Sequence, residues 1–122
     1  MFGNRLNEID MDPLKRYGSL RRYIASTYSE QTQQTIDDAL IYASERMQGY
    51  ARYDGTPLLD HDVAVAEIAT REIGLGRNST IAAIVHDVVR IATQHHSERL
   101  EEYSATIRRD YGEEVLGITL AL

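Results

Sequence analysis

The sequence predicts an all-α domain, on three observations. Apolar residues recur at three-to-four spacing in successive segments. The breaking residues gather between those segments, above all in Gly49-Tyr50-Ala51-Arg52-Tyr53-Asp54-Gly55-Thr56-Pro57, where two glycines and a proline write a loop. The most apolar stretch, Thr80 to Val89, mixes alanine with Val and Ile and has helical neighbours. Helix therefore outweighs the strand that its β-branched residues would allow.

Each element follows in order. Leu14, Tyr17, Leu20, Tyr23, Ile24 and Tyr28 place one buried stripe on a first helix over Pro13 to Tyr28, whose first turn Gly18 weakens. Ser29 is the expected N-cap of a second helix carrying Ile36, Leu40, Tyr42, Ala43 and Met47 towards Gly49. After the loop, Asp60 or a neighbour is expected to cap a third helix with Val63, Ala66, Ile68 and Ile73 on its apolar side, ending at Gly74 or Gly76. Asn78 and Ser79 are candidate caps of the fourth, Thr80 to Val89. It is apolar almost all round, as a central helix packed on several sides should be. Ser97 opens a polar amphipathic helix with Leu100, Tyr103, Ile107 and Tyr111 on its inner stripe; Gly112 closes it and Glu113 to Leu122 starts another. The segment Ile118-Thr119-Leu120-Ala121-Leu122 has no charge and no C-cap. Residues 1–122 are therefore expected to form one domain truncated at its C-terminal end from a longer chain.

Composition narrows the function. A length of 122 residues suits one domain, and 43% hydrophobic with 26% charged residues is a globular balance. A net charge of −6 argues against neutralising nucleic-acid phosphates, so no direct DNA binding is expected. No apolar run reaches membrane-spanning length and the N-terminus has no signal-peptide stretch, so a cytoplasmic domain without a membrane partner is expected. The chain has no cysteine, which leaves His and carboxylate side chains as metal ligands.

The informative pair is His86-Asp87, inside the most apolar helix. Burying an ionised carboxylate costs several kcal/mol unless it is compensated, and a divalent metal compensates imidazole and carboxylate together. Adjacent helical residues point about 100° apart, so both can reach one ion between helices. His61, just after the Arg-containing loop, is the candidate third ligand. The competing reading is structural: His86 bonding a backbone carbonyl, Asp87 pairing with Arg90. His95 and His96 read as solvated surface residues.

Here several segments converge on a resemblance. Arg52-Tyr53-Asp54-Gly55-Thr56-Pro57, His61 before Val63-Ala64-Val65-Ala66, Thr80-Ile81-Ala82-Ala83 leading to His86-Asp87-Val88-Val89, and Tyr111-Gly112-Glu113-Glu114-Val115 stand in order. Together they resemble the N-terminal hydrolase domain of the RelA/SpoT family, the synthetases and hydrolases of the alarmone (p)ppGpp. The resemblance implies an HD-domain helical bundle and a Mn²⁺ site with His61, His86 and Asp87 as ligands. A later aspartate would supply the fourth. It implies a guanosine nucleotide held on the loop Arg52, Tyr53, Asp54 and Gly55, with the Arg52 guanidinium stacked on the base. Tyr53 stands where the family has a basic residue.

Two departures shape the expected activity. The family follows His-Asp-Val-Val with Glu-Asp, the acidic pair that handles the attacking water; this chain has Arg90-Ile91. Arginine, with a pKa above about 12, is no general base and isoleucine does not titrate. Losing a positioned base costs on the order of 10²–10⁴ in rate. An ungapped continuation puts Leu120 where the fourth ligand would fall, and Asp110, Glu113 and Glu114 read as a solvated helix end. Arg90 lies one turn from His86 and Asp87, where its guanidinium can stand in for the metal charge. The expected protein is thus a hydrolase-like domain with lost or weak activity, regulatory to a downstream GTP pyrophosphokinase (synthetase) region. The alternatives are an active Mn-dependent 3′-pyrophosphohydrolase that takes its base from Glu98, Glu101 or Glu102, and a helical interaction module with a structural His-Asp pair.

Overall fold

A computed structural model describes residues 14–122; Pro13, the expected start of the first helix, lies outside them. Among the described residues the fold has six α-helices: α1 (Gly18–Thr27), α2 (Glu30–Arg46), α3 (Leu58–Ile68), α4 (Arg77–His95), α5 (Leu100–Tyr111) and α6 (Glu113–Ala121). No strand occurs among the described residues, only an isolated bridge between Ala51 and Pro57 across the loop. The class is all-α, as the spacing of apolar residues predicts.

α4 is the axis of the bundle. Ile81, Ala82, Ile84, Val85 and Ala92 are completely enclosed, and the helix packs on α2, α3, α5 and α6. Its all-round apolar character thus has a partner on every side. The helix runs to His95, beyond the expected Val89, because Ile91 and Ala92 still meet the core. Its N-cap is Gly76, with no side-chain cap. Asn78 instead donates to Glu114 at 2.9 Å and ties the start of α4 to α6.

Local chemistry explains the other boundaries. Ser29 caps α2 as expected, its Oγ accepting from the Thr32 N–H at 3.2 Å. A short 3₁₀ turn at Lys15–Tyr17 precedes α1, which starts at Gly18, so the glycine divides the expected first helix into two pieces. Pro57, not Asp60, occupies the N-cap of α3. Asp60 is otherwise engaged: it accepts from Tyr17 Oη at 2.8 Å and Arg16 Nη2 at 2.7 Å, joining the N-terminal segment to α3. A π-helical turn at Ala69–Ile73 ends α3, and Gly74, at φ 81°, accepts the left-handed conformation that stops it. Tyr42 lies edge-on to Tyr103 and Tyr111, with ring centroids 6.5 and 6.4 Å away, locking α2 to α5.

Candidate metal centre

The site begins with an irregularity in α3. Its buried side is Leu59, Asp62, Val63 and Ala66, a regular helical stripe in which one member is an acid. Asp62 is fully enclosed, and opposite it on α4 Asp87 is 1% exposed. His86 stands beside them. One ligand atom from each of Asp62, His86 and Asp87 falls within 4.8 Å of the other two, a group that can hold a metal ion.

Hydrogen bonding aims the imidazole. His86 Nδ1 donates to the Ala83 carbonyl at 2.8 Å, one turn back, which leaves Nε2 as the acceptor in the neutral ring. Nε2 lies 3.5 Å from Asp87 Oδ1. Both oxygens of Asp62 and Oδ1 of Asp87 are buried without a hydrogen bond. Converging acceptors of this kind repel one another unless a proton or a cation sits among them. Two carboxylates and an imidazole are suitable donors for a divalent ion, so the residues present fit one.

A proton is the alternative occupant. Burial, reinforced by the neighbouring Asp87 carboxylate, pushes the Asp62 carboxyl up to about 9. Asp62 is therefore protonated near neutral pH in the ion-free protein.

Arg90 supplies the positive charge. Its Nε lies 3.1 Å from Asp87 Oδ1, at an angle too poor for a hydrogen bond but close enough for an ion pair, while 55% of its side chain stays exposed. The guanidinium thus reaches Asp87 from the solvent side, as the one-turn spacing predicts. Ile91 points the other way and is buried in the hydrophobic core. Residues 90 and 91, adjacent in sequence, therefore have unlike surroundings.

His61 stays outside the ion-binding group. Its Nδ1 meets Arg52 Nη1, and because a guanidinium only donates, the ring accepts there and carries its own proton on Nε2. His61 and Arg52, assigned separate tasks in the sequence, are partners. His61 nevertheless borders the same cavity as His86 and Arg90. In the rest of the loop Tyr53 is 97% exposed, Asp54 accepts from the Thr56 N–H at 2.9 Å, and Gly55 has φ 88°. That is a preformed turn with an unshielded ring at its tip.

The remaining candidates sit elsewhere. Glu98, Glu101 and Glu102 line neither cavity that His86 borders. Asp110 pairs with Arg109, Glu113 with Arg108, and Glu114 with Asn78, as a solvated helix end would. Leu120 does reach the cavity beside His86 and Arg90, so α6 brings no carboxylate there. His95 and His96 are exposed but engaged: Tyr50 stacks on the first and its hydroxyl lies 3.0 Å from Nε2 of the second.

The residue missing from the sequence reading is Asp62. Its signal was present, since it lies three residues after Leu59 and four before Ala66 on the buried stripe. These features define an all-α domain with a buried His-Asp-Asp cluster between two helices. Comparison with protein-family models, with curated proteins and with solved structures finds no match to the chain. Among the described residues no helix is long and apolar enough to cross a membrane.

Proposed function

We propose that this chain is a hydrolase-like domain of RelA/SpoT type that keeps an ion-binding cradle but has lost the water-activating acids. In this reading it regulates a downstream GTP pyrophosphokinase region from the cytoplasm and does not itself turn over (p)ppGpp efficiently. The observation that carries the reading is Arg90 Nε at 3.1 Å from Asp87 Oδ1, a fixed cation on a carboxylate that would otherwise be a ligand.

His86, Asp87 and Asp62 would hold the ion, with Mn²⁺ the choice that the family resemblance implies; a bound divalent ion supplies Lewis-acid polarisation of a phosphoryl oxygen and a more acidic water. The chain's own residues do the rest. The Ala83 carbonyl fixes the His86 ring. Asp62 must give up its proton before it ligates, and Arg90 must leave Asp87. Arg52 holds the loop to α3 through His61, and Tyr53 offers a flat surface to a guanosine base. With arginine at position 90 and a buried isoleucine at 91, no general base faces the cavity from these positions.

The test is a Mn²⁺ titration by calorimetry combined with incubation of the protein with ppGpp and Mn²⁺. Weak ion binding and little release of pyrophosphate are expected, with guanosine nucleotides raising the melting temperature. Tight Mn²⁺ binding by the unmodified chain would contradict the role given to Arg90. Rapid turnover would establish an active 3′-pyrophosphohydrolase, and a melting temperature indifferent to guanosine nucleotides would favour a helical interaction module.

A further inference from the structure

A cavity of about 510 Å³ runs between α3, α4 and α6, within the range of about 300–1,000 Å³ usual for small-molecule sites. Its two ends differ in chemistry. Because α3 and α4 face each other through His61 and His86 at one end and Ile68 and Ser79 at the other, a polarity gradient runs along it. The apolar walls come from Val65, Ile68, Ile73, Leu75, Ile118 and Leu122. Ile68 and Ile73 are 50% and 66% exposed, so this surface is open along the groove. The opposite end holds His61, His86 and Arg90. The Arg90 guanidinium pairs with Asp87 through Nε at 3.1 Å while 55% of the side chain stays exposed, so it can meet a second acceptor from the groove. Arg52 stands just behind, on His61.

We propose that this groove binds an amphipathic anion: a straight aliphatic chain along Val65, Ile68, Ile73 and Ile118, with a carboxylate or phosphate head against Arg90 and His61. The lining from Ser79 to Arg90 spans three turns of α4, about 16 Å at the helical rise, enough for a medium-length chain laid in extended form. Charge complementarity selects this occupant. A neutral amphiphile gains no charged contact at the exposed guanidinium beyond the one Arg90 already makes to Asp87, and a cationic head is disfavoured beside it. The proposal uses the groove in the ion-free protein and does not rest on the hydrolase-like reading.

The experiment is a calorimetric titration in EDTA with hexanoate, octanoate and decanoate below their micelle concentrations, with decanol and decyltrimethylammonium as controls. One site per chain is expected, with affinity rising about 3- to 4-fold for each added methylene and decanoate preferred over both controls. Arg90→Gln should weaken decanoate about tenfold or more while leaving decanol unchanged. Ile73→Ser, at an exposed position that the fold tolerates, should weaken all three acids alike. Affinity independent of chain length, equal binding of decanol, or no effect of either variant would overturn the proposal. So would sedimentation showing a dimer that excludes decanoate, which would make a second copy of the chain the occupant.

Discussion

Replacing Asp62 by asparagine tests the cluster most directly. The wild-type carboxyl titrates near 9 in the folded protein against about 3.9 in the unfolded chain. A group with a raised folded pKa contributes its full stability below the unfolded value and loses it as pH climbs to the folded one. From about pH 4 to about pH 9 the folded protein holds a proton that the unfolded chain has released, so stability falls by about 1.4 kcal/mol per pH unit. Between pH 6 and pH 8 that amounts to about 3 kcal/mol, a large share of a domain's usual 5–15 kcal/mol. At about 4 °C per kcal/mol the melting temperature drops by about 10 °C. Asparagine keeps the shape and has no proton to lose. The difference in melting temperature between Asp62→Asn and wild type should therefore widen by about 10 °C over this interval, and histidine titrations common to both proteins cancel. Scanning calorimetry at several pH values in EDTA reads it out. Parallel curves would refute a protonated Asp62. Saturating Mn²⁺ at pH 8 should close the gap by stabilising only the wild type.

Other substitutions separate the parts of the site. Arg90→Met removes the competing cation and should raise Mn²⁺ affinity at least tenfold by calorimetry, because Asp87 no longer exchanges a partner for the ion. Ile91→Asp should destabilise by about 3–5 kcal/mol in urea unfolding, since it buries a carboxylate among core side chains. Tyr42→Phe removes a buried hydroxyl without a hydrogen-bond partner while keeping the ring against Tyr103 and Tyr111, and should be neutral or stabilising by about 1 kcal/mol in the same assay. Ile84→Ala, at a fully enclosed position on α4, should cost about 2–5 kcal/mol.

The parts of this architecture that were legible in the sequence are those governed by local rules. The all-round apolar α4, the Ser29 cap and the stripe of α5 each follow from spacing within one helix, and the structure has all three. The boundaries that differ were set from a distance. Asp60 does not cap α3 because Tyr17 and Arg16, more than forty residues away, take its carboxylate. Asn78 does not cap α4 because the helix already starts at Arg77 after Gly76; its Oδ1 accepts from Arg77 and its amide N–H donates to Glu114. A side chain with two competing partners goes to the one that tertiary packing supplies, and spacing along the chain holds no information about that choice.

The candidate site divides along the same line. His86, Asp87 and Arg90 belong to one helix, so their convergence follows from helical geometry, and the ion pair expected between Arg90 and Asp87 forms. The third member of the cluster comes from α3, where His61 and Asp62 are adjacent and point about 100° apart. Only one can face α4. The stripe Leu59, Val63 and Ala66 fixes the rotation of α3 by burying its methyl groups, and that rotation carries Asp62 inward and leaves His61 at the rim with Arg52. Apolar packing, not metal affinity, thus decides which neighbour enters the cluster. The consequence is an acid held at about 9 by burial, where an imidazole would have remained an acceptor near neutral pH. Any ion entering this cradle must displace a proton from Asp62 as well as a guanidinium from Asp87. Its affinity should therefore rise with pH by up to about tenfold per unit until Asp62 ionises. In Arg90→Met that slope should persist while the overall affinity rises, because the proton and the guanidinium are separate competitors. A slope lost along with Arg90 would mean that Asp62 takes no part in holding the ion.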